Sequence, residues 1–270
     1  MTAPSALPAR PAAGDALSSV EKALDLLQAL HDARGPLGPS ALARALGLPK
    51  STAHRLLAPL AARGLVERDE KGGYRPGFAL VSLGLGVLRG DPLVAAARPA
   101  LEAEARALGE TVFLTAARGG RIAVLEKAEG AGFLRAAPQV GATVPVHATA
   151  VGKLFLAFAP AEVVLYEPLT AYTAATCTTP EALAREVARA RAAGFALNRD
   201  EWIPGLAVVA APVRVAGRLL GALALAAPSA RVDALGAEAL AARLVAAANG
   251  VAARLEGRGT APAPEQEDPQ

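Results

Sequence analysis

Five polar side chains within six residues could together contact a nucleic acid. They are Lys50, Ser51, Thr52, His54 and Arg55. The apolar residues among and after them recur at helical spacing, which places the polar group on the opposite face of one helix. Arginine can bind guanine through two parallel hydrogen bonds, and hydroxyl and ammonium groups can reach bases or phosphates. The pattern predicts a helix whose exposed face suits a DNA groove.

A shorter helix and a tight turn are predicted to position this face. Residues 40–46 carry an apolar stripe, with Arg44 among them as a further cation. Gly47 tolerates the left-handed backbone that ends a helix, and Pro49 cannot continue the helix before it. The segment is therefore predicted to be a helix-turn-helix. For this segment taken alone, an amphipathic hairpin of helices that packs on another domain is the alternative.

Pro59 lies inside the second helix of this pair. Proline lacks a backbone N–H and crowds the preceding turn, which costs about 3 kcal/mol in a regular helix. We expect a kink between Arg55 and Pro59, or a helix that effectively ends there. Because bases are read mainly from the amino end of such a helix, residues 50–55 should keep their role.

The charge around the helix pair favours a polyanionic partner. No acidic residue occurs over 33–66, whereas five basic residues do, and each neutralised phosphate releases counterions. The whole net charge of +3 falls within residues 1–78. Two short strand-like segments surround Gly72-Gly73, which predicts a hairpin, or wing, on which Arg75 could bind phosphate.

The length and composition predict two domains. Hydrophobic residues make up 53% of the 270 residues, which is enough for a packed core. A capping box formed by Ser18 and Glu21 is predicted to begin the first helix. The predicted divisions are a disordered tail over 1–16, a winged helix-turn-helix domain over 17–78, a linker and connecting helix over 79–108, a second domain over 109–256, and a disordered tail over 257–270.

Strands and helices alternate in the second domain. The predicted strands are Thr111–Ala117, Arg121–Ala128, Phe133–Ala136, Thr143–Val146, Leu206–Arg214 and Leu219–Ala226. The predicted helices, with the two of the linker, are Phe78–Leu88, Asp91–Leu108, Thr149–Phe158, Glu181–Ala193 and Asp233–Leu255. The fold class is therefore α+β, with an N-terminal winged helix-turn-helix and a mostly antiparallel sheet in the second domain.

Several common kinds of site are disfavoured. One cysteine cannot form an internal disulfide framework or a cysteine-based zinc site, and three dispersed histidines make a poor metal set, so no metal or cofactor is predicted. Residues 147–153 lack the leading glycine and the Ser or Thr of a phosphate loop.

No apolar run reaches the roughly 20 residues of a membrane helix, and no signal peptide is evident, which predicts a soluble cytoplasmic protein.

Two segments of the second domain favour a small-molecule site. Thr149 is predicted to cap a helix whose free backbone N–H groups could bind an anion. Residues 198–205 form a predicted loop that holds an amide, two carboxylates and Trp202, the one tryptophan of the chain. Apolar walls with a few polar groups are typical of ligand pockets. A plain helix cap and a solvated loop are the alternatives.

Several of these motifs, in this order, resemble the IclR-type transcriptional regulators. The similar segments are 18–24, 46–52, 54–57, 147–153 and 210–213, and the resemblance extends over about 18–255. It implies an N-terminal winged helix on a double-stranded DNA operator and a C-terminal GAF-like domain that binds a small effector. It also implies homodimers, often paired into homotetramers, on partly palindromic sites.

The resemblance also assigns positions in the effector pocket. The positions that match those of acid-binding relatives are Ala150, Val151, Asn198, Val208, Ala224 and Ala226, with Trp202 nearby. Because the strand positions are Val and Ala where such relatives commonly carry polar residues, the predicted effector is a carboxylate with a larger or more apolar body. With no buried cation evident, the backbone N–H groups of Ala150 and Val151 would bind the carboxylate.

The predicted function is that of a ligand-responsive DNA-binding regulator, a repressor or activator of a metabolic operon, and not of an enzyme. Lys50 and Arg55 are expected to read or clamp DNA. The assisting residues are Arg44, Ser51, Thr52, His54 and Arg75. Two alternatives remain open. One is an enzymatic second domain that uses Cys177 or His147, which could act together as nucleophile and base. The other is an architectural DNA-binding protein with a purely structural second domain.

Overall fold

The computed structural model describes residues 18–33, 35–132 and 139–259. The chain divides into two compact units, Met1–Gly90 and Asp91–Gln270. The predicted tail over 1–16, the predicted strand Phe133–Ala136 and residues 260–270 of the second predicted tail lie outside the described residues. Within the described part, no single helix is both long and apolar enough to cross a membrane, although two bent pairs of helices pass that test of length and composition when joined.

The first unit is a three-helix core followed by a hairpin and a further helix. Its elements are α1 (Ser19–Asp32), α2 (Pro39–Ala45), α3 (Lys50–Ala62), β1 (Val66–Arg68), β2 (Tyr74–Pro76) and α4 (Phe78–Arg89). The Ser18 hydroxyl accepts from the backbone of Glu21, and the Glu21 carboxylate accepts from that of Ser18, which confirms the capping box. Leu26, Leu42 and Leu57 are fully buried at the centre.

The α3 helix does not end at Pro59, so that part of the expectation was wrong. The helix continues past Pro59 to Ala62, and Arg63 is its C-cap residue. Pro59 is exposed, and it stands close enough to the carboxyl end that few hydrogen bonds follow it. The apolar residues Leu56 and Leu57 hold the helix on the core before this point. Packing therefore offsets the local cost of the proline.

Among the described residues, the second unit is built on one antiparallel sheet of six strands in the order β5-β4-β3-β8-β7-β6. The strands are β3 (Thr111–Arg118), β4 (Arg121–Ala128), β5 (Thr143–Val144), β6 (Ala196–Arg199), β7 (Leu206–Val215) and β8 (Arg218–Pro228). The helices are α5 (Pro92–Leu108), α6 (Ala150–Phe158), α7 (Pro180–Ala193), α8 (Ser229–Leu235) and α9 (Ala237–Gly259). The predicted α+β class is confirmed.

The two faces of the sheet are covered by different helices. On one face Phe113, Val208 and Ala224 form a buried cluster with Leu154 and Phe155 of α6. Because side chains alternate along a strand, the strand residues next to Phe113, Val208 and Ala224 face the opposite side of the sheet. On that side α5 and α9 pack on the central strands. The α6 helix thus covers one face of the sheet, and the long helices α5 and α9 cover the other.

Three predictions about the second unit were wrong. Asn198 was placed in a loop, but it lies on β6, where Asn198 pairs with Val208. The strand is only four residues long and is polar in its second half, so its periodicity is weak. The predicted helix Asp233–Leu255 is in fact two helices, because Gly236 adopts φ = 82° and interrupts the hydrogen bonding between α8 and α9. The last helix also continues to Gly259, beyond the predicted start of the tail.

Candidate DNA-binding helix and effector pocket

The amino-terminal half of α3 presents an uncovered cationic face. Lys50, Ser51, His54 and Arg55 are exposed, and Thr52 is half-buried. Ala53, Leu56 and Leu57 point the other way into the core. Arg44 is exposed on α2. None of these cations forms an ion pair with a described residue, so all of them are available to phosphates or base edges.

The wing forms as predicted, but its arginine has a partner. Arg75 on β2 lies opposite Glu67 on β1, with 3.1 Å between guanidinium nitrogen and carboxylate oxygen. The other oxygen of Glu67 accepts from the backbone N–H of Phe78 at 3.0 Å. This backbone bond, and then the Arg75 guanidinium, lower the pKa of Glu67, which stays ionised. The carboxylate reduces the attraction of Arg75 for phosphate, a feature that sequence reasoning missed.

The start of α6 is fixed by a cap and by a close backbone approach. The Thr149 hydroxyl accepts from the backbone of Gly152 at 3.1 Å and donates to the carbonyl of Pro145 at 2.6 Å. A Cβ atom on Gly152 would lie 1.8 Å from the carbonyl oxygen of Val146. Only glycine therefore allows the chain before α6 to pass this closely over the first turn of the helix.

A buried cation lies one residue further along α6, which corrects the expectation that none was present. Lys153 is 1% exposed, and its Nζ lies 2.5 Å from Oε1 of Glu201 and 3.6 Å from Oε2 of Glu186. The sequence did not show this cation because lysine is almost never fully buried without a partner, and Glu201 is 48 residues away. Since its charge is already paired, Lys153 is not a free receptor for an effector carboxylate.

The segment that follows β6 is held in place at its beginning. The hydroxyls of Thr173 and Thr176 donate to the backbone carbonyls of Asp200 and Glu201, at 2.6 and 2.5 Å. One oxygen of Asp200 accepts from the backbone of Gly205 at 2.7 Å. Asp200 itself adopts φ = 57°. These bonds fix the start of the turn that carries Trp202.

A small cavity lies between this turn, α6 and the sheet. Its lining residues are Phe113, Val144, Thr149, Val151, Asn198, Trp202, Ile203, Leu206 and Val208. Of the predicted effector residues, the cavity brings together Val151, Asn198, Trp202 and Val208. Ala150, Ala224 and Ala226 are fully buried in the same cluster but are not among its lining residues. Ile203 lies in the loop over 198–205 that the sequence indicated, whereas Phe113, Val144 and Leu206 were not expected in the lining.

The cavity is nearly closed in this conformation. It has a volume of about 20 Å³, which is room for about one water molecule. Ligand pockets commonly enclose about 300–1,000 Å³. Trp202 and Ile203 are the partly buried members of the lining. A ligand larger than a water molecule would need the lining to move, and these two side chains are the least enclosed part of it.

Cys177 and His147 do not form the nucleophile–base pair considered from the sequence. Nε2 of His147 lies 2.9 Å from the carbonyl oxygen of Thr170, and its ring stacks on Tyr172. Burial, and then the charge of Glu201, raise the pKa of the Cys177 thiol. A thiol with a raised pKa stays protonated and is a poor nucleophile.

The fold and these two sites define a winged-helix DNA-binding protein with a separate ligand domain. The IclR helix-turn-helix domain matches residues 19–70, and the bacterial transcriptional regulator IclR C-terminal domain matches residues 85–253. The chain belongs to the IclR family of transcriptional regulators, with a helix-turn-helix DNA-binding domain and a C-terminal effector domain.

Individual relatives agree with this assignment. The chain is 36% identical over 217 residues to the probable transcriptional regulator SauR of Cupriavidus necator. The aligned region covers 78% of this chain and 86% of that protein. It is 30% identical over 208 residues to the transcriptional repressor IclR of Escherichia coli, with 74% and 76% covered. An IclR homologue from Microbacterium hydrocarbonoxydans, solved as a complex with 4-hydroxybenzoate, has 27% identity and a TM-score of 0.76, with 89% of this chain and 100% of that chain covered.

Proposed function

We propose that this chain is a homo-oligomeric regulator whose operator affinity changes when a small carboxylate with an apolar body binds in the second domain. The winged-helix domain over 17–78 binds the operator, and residues 79–108 connect it to the effector domain over 109–256, with α5 of this connection packed on the sheet of the second unit. The observation that carries the DNA-binding role is the exposed, unpaired cationic face of α3. The proposal places Lys50 and Arg55 against bases or phosphates, with Arg44, Ser51, Thr52, His54 and Arg75 as assisting contacts.

The carboxylate part of the proposal is supported by the cavity and by one relative. The cavity walls are almost entirely apolar, and α6 begins at its edge with Thr149 and Val151. A helix start offers free N–H groups and a positive dipole end to an anion. The homologue from Microbacterium hydrocarbonoxydans was solved with 4-hydroxybenzoate, a carboxylate on an apolar ring.

The test of the DNA-binding role is selection of binding sites from random duplex DNA by the full-length protein at about 0.15 M salt, where screening weakens non-specific contacts. We expect enrichment of a partly palindromic site. Binding that remains equally strong on all sequences, and that disappears with added salt, would show that the protein does not read a specific operator.

Arg55→Ala is expected to weaken binding to the selected site by about 10- to 100-fold, because one forked arginine contact with guanine contributes about 1–3 kcal/mol of discrimination. Random DNA of the same length should lose much less. The matched control is Arg63→Ala, which removes the same charge at the far end of α3. If Arg55→Ala weakens both DNAs equally, the side chain contacts only phosphate.

The homo-oligomeric part of the proposal is supported by exposed apolar residues on α4. None of its residues is buried, and Leu83 and Val87 are 62% and 73% exposed. Contiguous apolar surface of this kind marks interfaces. A second copy of this chain is the proposed partner, because a partly palindromic operator requires two copies related by a two-fold axis.

We expect Leu83→Lys/Val87→Lys to lower the solution mass to that of one chain, because four new ammonium groups would face each other in a symmetric dimer. Light scattering measures this mass, and operator affinity should fall with it. The control is Val164→Lys/Tyr166→Lys, which adds the same charge at exposed apolar positions of the second unit. An unchanged mass for the α4 variant would place the interface elsewhere.

A further inference from the structure

Asn198 carries a buried hydrogen-bond acceptor that no described residue satisfies. The residue is 3% exposed, and its Nδ2 donates to the carbonyl oxygen of Ala148 at 2.8 Å. Because a carbonyl oxygen can only accept, this bond fixes which end of the amide is nitrogen. The other end, Oδ1, is buried and has no partner. A buried acceptor without a donor is costly, so the site favours a molecule that supplies one.

No residue of the rest of the cavity wall donates a hydrogen bond to that oxygen. Thr149 is the other polar side chain of the lining, and its hydroxyl already donates to Pro145. The remaining lining residues are apolar or aromatic, and no polar contact of the Trp202 indole is found among the described residues. The cavity is therefore an apolar space with one unfilled acceptor, at Asn198.

Hydrogen-bond donors for an anion lie next to this acceptor. The backbone N–H groups of Ala150 and Val151 open α6 and have no hydrogen-bond partner among the described residues. Ala148, to which Asn198 is bonded, lies only two residues before Ala150. An anion at the start of α6 would thus sit beside the amide of Asn198.

We propose that the effector is a 2-hydroxy carboxylic acid with an apolar side chain. Its carboxylate accepts from the N–H groups of Ala150 and Val151, and its hydroxyl donates to Oδ1 of Asn198. The apolar part lies against Trp202 and Val208. This inference rests on the proposed carboxylate effector and adds the requirement for a donor beside the carboxylate.

The chemistry distinguishes three matched acids. A 2-hydroxy group supplies an O–H donor, whereas a 2-oxo group brings a second acceptor that is repelled by Oδ1 of Asn198. An unsubstituted acid brings neither and leaves the amide oxygen unpaired. Because an unpaired buried acceptor is expensive, the hydroxy acid should bind at least about 10-fold more tightly than either analogue.

The experiment compares two such sets on the full-length protein. The first set is 2-hydroxy-3-methylbutanoate, 2-oxo-3-methylbutanoate and 3-methylbutanoate, and the second is mandelate, phenylglyoxylate and phenylacetate. Binding is read from Trp202 fluorescence and from the thermal midpoint.

A hydroxy acid that binds at least about 10-fold more tightly than its analogues supports the inference. An oxo or unsubstituted acid that binds as tightly overturns the donor requirement and leaves the carboxylate effector standing. If neither set binds, the inference and the proposed carboxylate effector both fail for acids of these sizes.

Two variants separate the acceptor from the shape of the cavity. Asn198→Leu removes the acceptor and should abolish the preference for the hydroxy acid over the unsubstituted acid. Val208→Ala changes the neighbouring wall without a polar group and should shift the affinity for both acids while their ratio is kept. A preference that survives in Asn198→Leu overturns the assignment of Asn198. Because the ligand series uses the unaltered protein, the inference stays testable even if Asn198→Leu fails to fold.

Discussion

Replacing Lys153 with methionine is expected to lower the free energy of unfolding of the second unit by about 3–5 kcal/mol, the usual cost of breaking a buried ion pair on one side. Methionine fits the space of the lysine stem, so the loss comes from the carboxylate of Glu201. That group is nearly buried, and its Oε2 has no hydrogen-bond partner even with the lysine present. Urea unfolding followed by Trp202 fluorescence measures this change on the full chain.

The double variant decides whether charge is the cause. Glu201→Gln alone leaves the Lys153 ammonium buried with only Glu186 nearby, and it should also destabilise the protein. Lys153→Met/Glu201→Gln removes both charges and should regain most of the lost stability, since a neutral pair needs no counter-ion. If the double variant is as unstable as the sum of the single variants, the pair contributes packing and not electrostatics.

Gly152→Ala is expected to destabilise the second unit by more than about 3 kcal/mol, at or above the upper end of the usual range for overpacking. A methyl group there would lie 1.8 Å from the carbonyl oxygen of Val146, and this neighbour is backbone that cannot rotate away. The first turn of α6 would have to move, which would also displace Thr149 and Val151 in the cavity wall. We therefore expect loss of effector binding together with loss of stability.

The control for this change is another helical glycine of the same unit. Gly250 lies in α9, and a Cβ there would meet only the end of the Arg254 side chain at 3.7 Å. Gly250→Ala should be neutral or stabilising by up to about 1 kcal/mol, because alanine favours helix. Equal thermal midpoints for the two variants would mean that the chain before α6 adapts to the methyl group.

The elements with strong local signals were predictable from the sequence. The capping box of Ser18 and Glu21, the proline turn before Lys50 and the glycine at the end of α5 each rest on the chemistry of one or two residues. The cationic face of α3 follows from helical periodicity alone. These features come from neighbours in the chain, and the structure confirms their positions.

Features that depend on distant partners were not predictable in the same way. The ion pair of Lys153 joins residues 48 positions apart, and nothing near Lys153 in the sequence indicates that it is buried. The unpaired oxygen of Asn198 becomes visible only when β6 places that amide beside Ala148. The salt bridge between Arg75 and Glu67 requires the register of the wing hairpin. In each case the tertiary structure, and not local propensity, determines the chemistry.

The sheet face beneath α6 offers a route by which effector choice can change during evolution. Its central positions include Ala210, Ala222, Ala224 and Ala226, all of which are fully buried members of the apolar cluster between the sheet and α6. A single nucleotide change converts an alanine codon into one for serine, threonine or valine, and each adds only one or two heavy atoms. Such changes would introduce a hydroxyl or fill space in the cluster next to the proposed effector cavity while the strand pairing stays intact. Related regulators could therefore diverge in the metabolite that they sense while keeping one scaffold and one mode of DNA binding.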